Sequence, residues 1–197
     1  MIHLPLERRY VLGPLGVSAL LLGIFSLPES YLFQLTFERE FIAQGELWRL
    51  LTGQFVHLTW SHLILNVMGL WVMYLLFAEH ISGWRYGGLV IALALASNLG
   101  MYLFDPEIHR YVGFSGVLYG LFAWGALLDV SKNIKFGWLL LIGVLFKVTW
   151  EYLQGPVELG AATVSQLATS SHFFGMVGGL TVALAMLIWS IRKKRSQ

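Results

Sequence analysis

Residues 172–191 read HFFGMVGGLTVALAMLIWSI, twenty residues without Asp, Glu, Lys or Arg, followed at once by Arg192, Lys193, Lys194 and Arg195. A helix needs about 20 mostly apolar residues to cross a bilayer core, and a basic cluster at its end is a membrane-surface anchor. Five further spans are predicted near 10–27, 59–78, 86–104, 115–129 and 136–153, the last of these if Lys147 and Glu151 are tolerated inside it. Backbone polar groups in lipid must be satisfied within the segment, so all six are predicted as helices. The expected fold is an all-α integral membrane protein, a six-transmembrane-helix bundle forming one domain over 1–197, its helices packed through small residues, which 21 glycines supply.

Composition agrees. Of 197 residues, 57% are hydrophobic and 12% charged, with mean hydropathy +0.68. A soluble domain carries about 25% charged residues, so an ordinary soluble globule is excluded, and disorder with it. With no cysteine, disulfides, thiolate zinc sites, iron–sulfur clusters and a cysteine nucleophile are all ruled out. Arg8 and Arg9 precede the first span as in a signal peptide, but Leu27-Pro28-Glu29-Ser30 offers no small-residue cleavage site. The span is therefore expected to stay as a first helix.

Loop charges orient the bundle. With both termini cytoplasmic, the inner segments hold Arg8, Arg9, Arg85, Lys132, Lys135 and Arg192 to Arg195, against Arg39, Arg49 and Arg110 outside. That is a positive-inside bias. The pI of 8.9 is thus a topology signal, with lipid and not nucleic acid as the partner. The longest outer segment, 28–58, contains Phe37, Phe41, Leu47 and Trp48 and is expected to lie partly in the interface.

Polar residues inside spans are functional candidates by default. Here they are His62, Asn66, Ser97, Asn98, Ser115, Lys147, Glu151 and His172, with His57 just before the second span. Ser115 sits between Gly113 and Gly116, which permit a sharp turn and expose backbone N–H groups beside the hydroxyl. This resembles the logic of a nucleophile elbow, although an N-cap serine would leave the same trace. His172 is followed by Gly175 and Gly179 on roughly its own face, and Gly116 and Gly120 follow Ser115 in the same way. Two helices packed through these ridges would bring Ser115 to His172, and a serine needs such a base to become a nucleophile. His62 and Asn66, four apart, share a helix face. They could donate to a developing oxyanion or serve only as packing hydrogen bonds. Lys147 and Glu151 form another i, i+4 pair, structural or shaping the site. A zinc protease would want H-E-x-x-H, which is absent, and an aspartyl enzyme two membrane aspartates, whereas Asp105 and Asp129 are expected in loops. No metal or cofactor is expected.

Trp48-Arg49, His62-x-x-x-Asn66, Ser115 in G-x-S-G, Tyr119 and His172 with its glycines, in this order along the chain, resemble the rhomboid family of intramembrane serine proteases from about residue 45 to 182. The stretch Tyr111 to Leu118, then Trp124 to Leu127, then Lys147-x-x-Trp150-Glu151-x-x-x-Gly155-Pro156, is similar to the rhombosortase branch. The resemblance implies Ser115 as nucleophile and His172 as general base, then acid. His62, Asn66 and the Ser115 backbone N–H would stabilise the oxyanion. Tyr119 would stack under or orient His172, with Gly113 and Gly116 shaping the turn and Gly175 and Gly179 the helix approach. The implied function is cleavage of Gly-Gly-containing C-terminal sorting tails (short motif, transmembrane helix, basic end) on exported proteins. It implies a bacterial inner (cytoplasmic) membrane location, with the active site opening to the periplasm. The alternatives are a general rhomboid protease with other single-pass substrates, or a catalytically silent relative that binds and escorts helices.

Overall fold

The computed structural model describes residues 7–155 and 169–196. Helices occupy all six predicted segments: α1 (Arg8–Phe25), α5 (Trp60–Phe77), α6 (Trp84–Phe104), α7 (Ser115–Ser131), α8 (Gly137–Gln154) and α9 (Thr169–Arg195). Three short helices lie between α1 and α5: α2 (Glu29–Leu35), α3 (Arg39–Ala43) and α4 (Arg49–Thr52). Four segments, Arg8–Phe25, Trp60–His80, Trp84–Phe104 and Thr169–Arg195, are long and apolar enough to cross a membrane. The chain is thus a helical membrane protein, with α7 a shorter apolar helix and α8 carrying Lys147 and Glu151.

Local chemistry sets the boundaries. Pro28 disfavours helix at the residue before it, and α1 ends at Phe25. Thr59 caps α5, its Oγ1 accepting from the His62 N–H at 3.3 Å. Gly83 enters α6 at φ +63°. The core is built around α7, which packs against α5, α6, α8 and α9. Leu21, Leu63, Leu70, Leu93, Val117 and Trp124 are fully buried there. Outward, Trp138, Leu139, Ile142 and Phe146 of α8 are exposed, an apolar surface too large for water and suited to lipid.

α7 and α9 meet along the two glycine ridges. A Cβ at Gly175 would collide with the Gly116 carbonyl, and one at Gly179 with the Gly120 carbonyl. The obstacle is backbone in both cases, so no side chain could yield, and only glycine allows this approach.

The all-α expectation holds, with one addition: β1 (Phe37–Glu38) pairs antiparallel with β2 (Arg110–Tyr111), Phe37 opposite Tyr111 and Glu38 opposite Arg110. The structure departs from the sequence expectations in three places. Phe37 does not lie in the interface. It is fully buried in a small core with Ile42, Met101 and Tyr111, because the strand pair turns it inward, while Leu47 and Trp48 stay exposed. Asp129 lies within the last turn of α7 rather than in a loop, held at 2.6 Å by His80. Finally, the stretch 161–171 is expected as loop; residues 161–168, like Pro156 and Glu158, fall outside the described residues, but Thr169 to Ser171 are already the first turn of α9.

The segment between α1 and α5 is strapped down by two arginines. Buried Arg49 donates to Glu46 and to the carbonyls of Phe33 and Thr36 at 2.6–2.7 Å, while Trp48 Nε1 donates to the Gln34 carbonyl at 3.1 Å. Arg39 donates to the carbonyls of Met101, Tyr102, Asp105 and Ile108 at 2.7–3.0 Å. Met101 and Tyr102 lie in the last turn of α6 and Asp105 caps it, where the helix dipole favours a cation.

Candidate active site

Ser115 is the first residue of α7, entered through Gly113 at φ +124°. That conformation excludes most side chains, and space excludes them too: a Cβ there would stand 2.7 Å from His62 Nε2. The Gly113 N–H is tied to the Gly53 carbonyl at 3.2 Å. Fifty-seven residues on, His172 faces the turn from α9. Ser115 Oγ and His172 Nε2 are 2.8 Å apart, so the hydroxyl donates to a ring nitrogen that can take its proton. His172 is buried, and its Nδ1 meets no hydrogen-bond partner among the described residues. No carboxylate orients it there, in contrast to the soluble triad.

An aromatic ring lies against His172 instead, tilted by 41°. Tyr119, one turn into α7, lies with its ring centroid 4.4 Å from that of His172. Lys147 reaches across from α8, donates to the Tyr119 hydroxyl and pairs with Glu151 at 2.7 Å. The i, i+4 pair therefore touches the site, one side chain removed from the histidine.

On the opposite flank, the His62 ring lies against Gly113, its buried Nε2 without a partner among the described residues. Asn66 is placed differently. Its amide donates to His57 Nε2 at 3.0 Å and to the His62 carbonyl at 3.1 Å, so both amide hydrogens are engaged in this geometry. His57 is fully buried, with Nδ1 3.3 Å from the Phe55 carbonyl. Nδ1 must donate there, leaving Nε2 to accept from Asn66, which fixes the neutral tautomer. Burial, then the neighbouring His62, push its pKa down to about 4.

Beneath Gly116 lies a polar cluster. Gln54 Nε2 lies 2.7 Å from Asn98 Oδ1, 3.0 Å from Ser97 Oγ and 3.2 Å from Ser171 Oγ, its two hydrogens shared among three acceptors. Ser97 Oγ in turn donates to the Ser171 carbonyl at 2.8 Å. All four residues are fully buried. A Cβ at Gly116 would strike Ser97 Oγ and come within 2.5 Å of Ser171 Oγ, so this glycine makes room for the cluster. Ser97 and Asn98 stand out in the sequence as polar residues in a span, but Gln54 and Ser171 do not. Nor does Tyr111, whose hydroxyl donates to the Gly113 carbonyl at 3.0 Å and lies 3.2 Å from Ser115 Oγ. Its position four before Ser115 would suggest a shared helix face, whereas it sits in a strand.

Residues 44–189 match the rhomboid domain. The chain is 30% identical over 150 residues to Rhomboid protease GluP of Bacillus subtilis, covering 76% of this chain and 28% of that protein. It is 24% identical over 146 residues to Putative rhomboid protease YdcA of the same organism, covering 72% and 68%. To Rhomboid protease GlpG of Serratia proteamaculans it is 24% identical over 190 residues, covering 92% and 64%. The chain thus spans little more than a quarter of the first of these relatives and about two thirds of the others. With a rhomboid domain matched over most of its length and a serine and histidine in contact within a helical membrane bundle, this chain belongs to the rhomboid family.

Proposed function

We propose that this chain is an intramembrane serine endopeptidase working through a Ser115–His172 dyad. The observation that carries the reading is the 2.8 Å contact between Ser115 Oγ and His172 Nε2, within a domain whose matched relatives include rhomboid proteases. His172 takes the Ser115 proton as Oγ attacks the scissile carbonyl, then gives it to the leaving amine. Water repeats the sequence on the acyl-enzyme, its proton passing through His172 to Oγ. The oxyanion would be held by the Ser115 backbone N–H and His62 Nε2, the latter free to donate, with Asn66 setting His62 and His57 in place.

The proposed arrangement is six spanning helices with both termini cytoplasmic in a bacterial inner membrane, the site opening to the periplasm. Support comes from the loop charges and from Ser115 and His172, each at the start of a helix on the same predicted outer side. The proposed substrates are exported proteins with a C-terminal Gly-Gly motif, a transmembrane helix and a basic end. That specificity is supported by the rhombosortase-like motif around Tyr111–Leu118 and Lys147–Gly155. Glycine weakens a helix by about 1 kcal/mol per residue, which would help an extended strand reach Ser115. The test is co-expression of a tailed exported protein with wild type, Ser115→Ala or His172→Ala. Tail loss only with wild type is expected. Cleavage persisting in both variants contradicts the dyad. Cleavage by wild type of ordinary single-pass proteins but not of the tail would favour the general protease. Pull-down of helices by wild type and Ser115→Ala alike, without cleavage, would favour the escort.

A further inference from the structure

The Tyr111 hydroxyl is the one side-chain group besides His172 that the described residues place on Ser115 Oγ, at 3.2 Å. It is held there firmly. Its backbone is paired to Phe37 across β1 and β2. Its ring is buried with Phe37, Ile42 and Met101, and its hydroxyl spans the Gly113 turn to that residue's carbonyl at 3.0 Å. Burial raises the phenol above its usual range, more than hydrogen bonds with Ser115, Ser171, the Gly116 backbone and Gln54 lower it. The group therefore keeps its proton at any working pH.

Tyrosine has one hydrogen to give. With Ser115 neutral and donating to His172, the shorter partner for that hydrogen is the Gly113 carbonyl. Once the Ser115 proton moves to His172, Oγ gains negative charge, and hydrogen bonds to charged oxygen are roughly twice as strong as neutral ones. The phenol hydrogen then turns from Gly113 to Oγ. We propose that Tyr111 is a further catalytic residue, whose neutral hydroxyl donates to Ser115 Oγ as that oxygen attacks the substrate and again as it leaves the acyl-enzyme. The phenol transfers no proton. The Ser115 proton goes to His172 and on to the leaving amine; in deacylation a water proton goes to His172 and back to Oγ. The bond is strong only while Oγ carries charge, so it acts on the transition states more than on the bound substrate.

This inference rests on the dyad reading, and the test separates the two. Full-length wild type, Tyr111→Phe and Ser115→Ala are compared in membranes for the rate of Ser115 labelling by a fluorophosphonate and for cleavage of a transmembrane substrate. Tyr111→Phe is expected to lower kcat and the labelling rate together by about tenfold, with KM held within about twofold. Wild-type rates in Tyr111→Phe would overturn the inference while leaving the dyad standing. Absence of labelling in wild type, or labelling that survives Ser115→Ala, would remove the dyad and this inference with it. Should Tyr111→Phe fail to fold, 3-fluorotyrosine at position 111 keeps the ring and hydroxyl while strengthening the donor. A faster labelling rate is expected, and an unchanged one overturns the inference, since a merely structural phenol has no reason to report its acidity in the rate.

Discussion

His62 and Asn66 share a helix face, yet their side chains are placed differently. The Asn66 amide spends both hydrogens on His57 Nε2 and the His62 carbonyl, whereas His62 Nε2 faces the turn before Ser115 with no partner among the described residues. His62→Ala is therefore expected to lower kcat about a hundredfold, the loss of one oxyanion donor, with little change in thermal stability. Asn66→Ala should lower both, because it also frees His57; equal and purely kinetic losses would count against this division. His57 adds a pH signature. Its folded pKa, about 4, lies below the unfolded value near 6.5. The unfolded chain takes a proton first, so stability is full above about pH 6.5 and declines as pH falls towards 4. The unfolding temperature in detergent should drop between pH 7 and pH 5 for wild type, and less steeply for His57→Gln. Parallel slopes would mean that His57 titrates freely in the fold.

Among the elements, the α7–α9 seam decides whether Ser115 and His172 can meet. Gly179 lies two turns from His172, and a methyl there would drive into the Gly120 carbonyl. Gly179→Ala is expected to destabilise by about 3 kcal/mol, the upper range for overpacking, and to slow fluorophosphonate labelling by moving α9 off α7. Gly143 of α8 has open space around its would-be Cβ, so Gly143→Ala should be neutral or stabilising by up to about 1 kcal/mol. Thermal unfolding of the pair checks the contrast. This seam was legible in the sequence, because a helix period converts Gly175-x-x-x-Gly179 and Gly116-x-x-x-Gly120 directly into ridges. The strand pair was not. Phe37 and Tyr111 lie 74 residues apart, and a two-residue ladder leaves no periodic trace. The same limit hid the partnership of Gln54 with Ser171, 117 residues away, and the contact of Tyr111 with Ser115, which depends on a turn rather than on a repeat.

At the scale of the molecule, chemistry and anchoring sit at opposite ends of α7. Ser115 begins the helix, and Asp129, in its last turn, is held by His80 at 2.6 Å, with Lys132 2.8 Å from the other ring nitrogen. A neutral histidine fits both, Nε2–H donating to the carboxylate and Nδ1 accepting from the ammonium, so this end is a staple between the turn that follows α5 and the end of α7. The charge asymmetry that predicts it to face the cytoplasm can be tested directly, since the chain has no cysteine of its own. Exposed Leu47, as Leu47→Cys, should react with an impermeant thiol reagent on intact spheroplasts. Ser196→Cys should react only after permeabilisation, and the reverse pattern would invert the topology.

The claim on which the rest depends is that His172 makes Ser115 nucleophilic. Its most direct measurement is mass-spectrometric mapping of a fluorophosphonate adduct on the full chain in membranes, for wild type and His172→Ala at matched protein levels. An adduct on Ser115 in wild type, reduced at least a hundredfold in His172→Ala, about the least that losing a general base costs, is the predicted result. An adduct on another residue, or one on Ser115 that forms equally fast without His172, would contradict it.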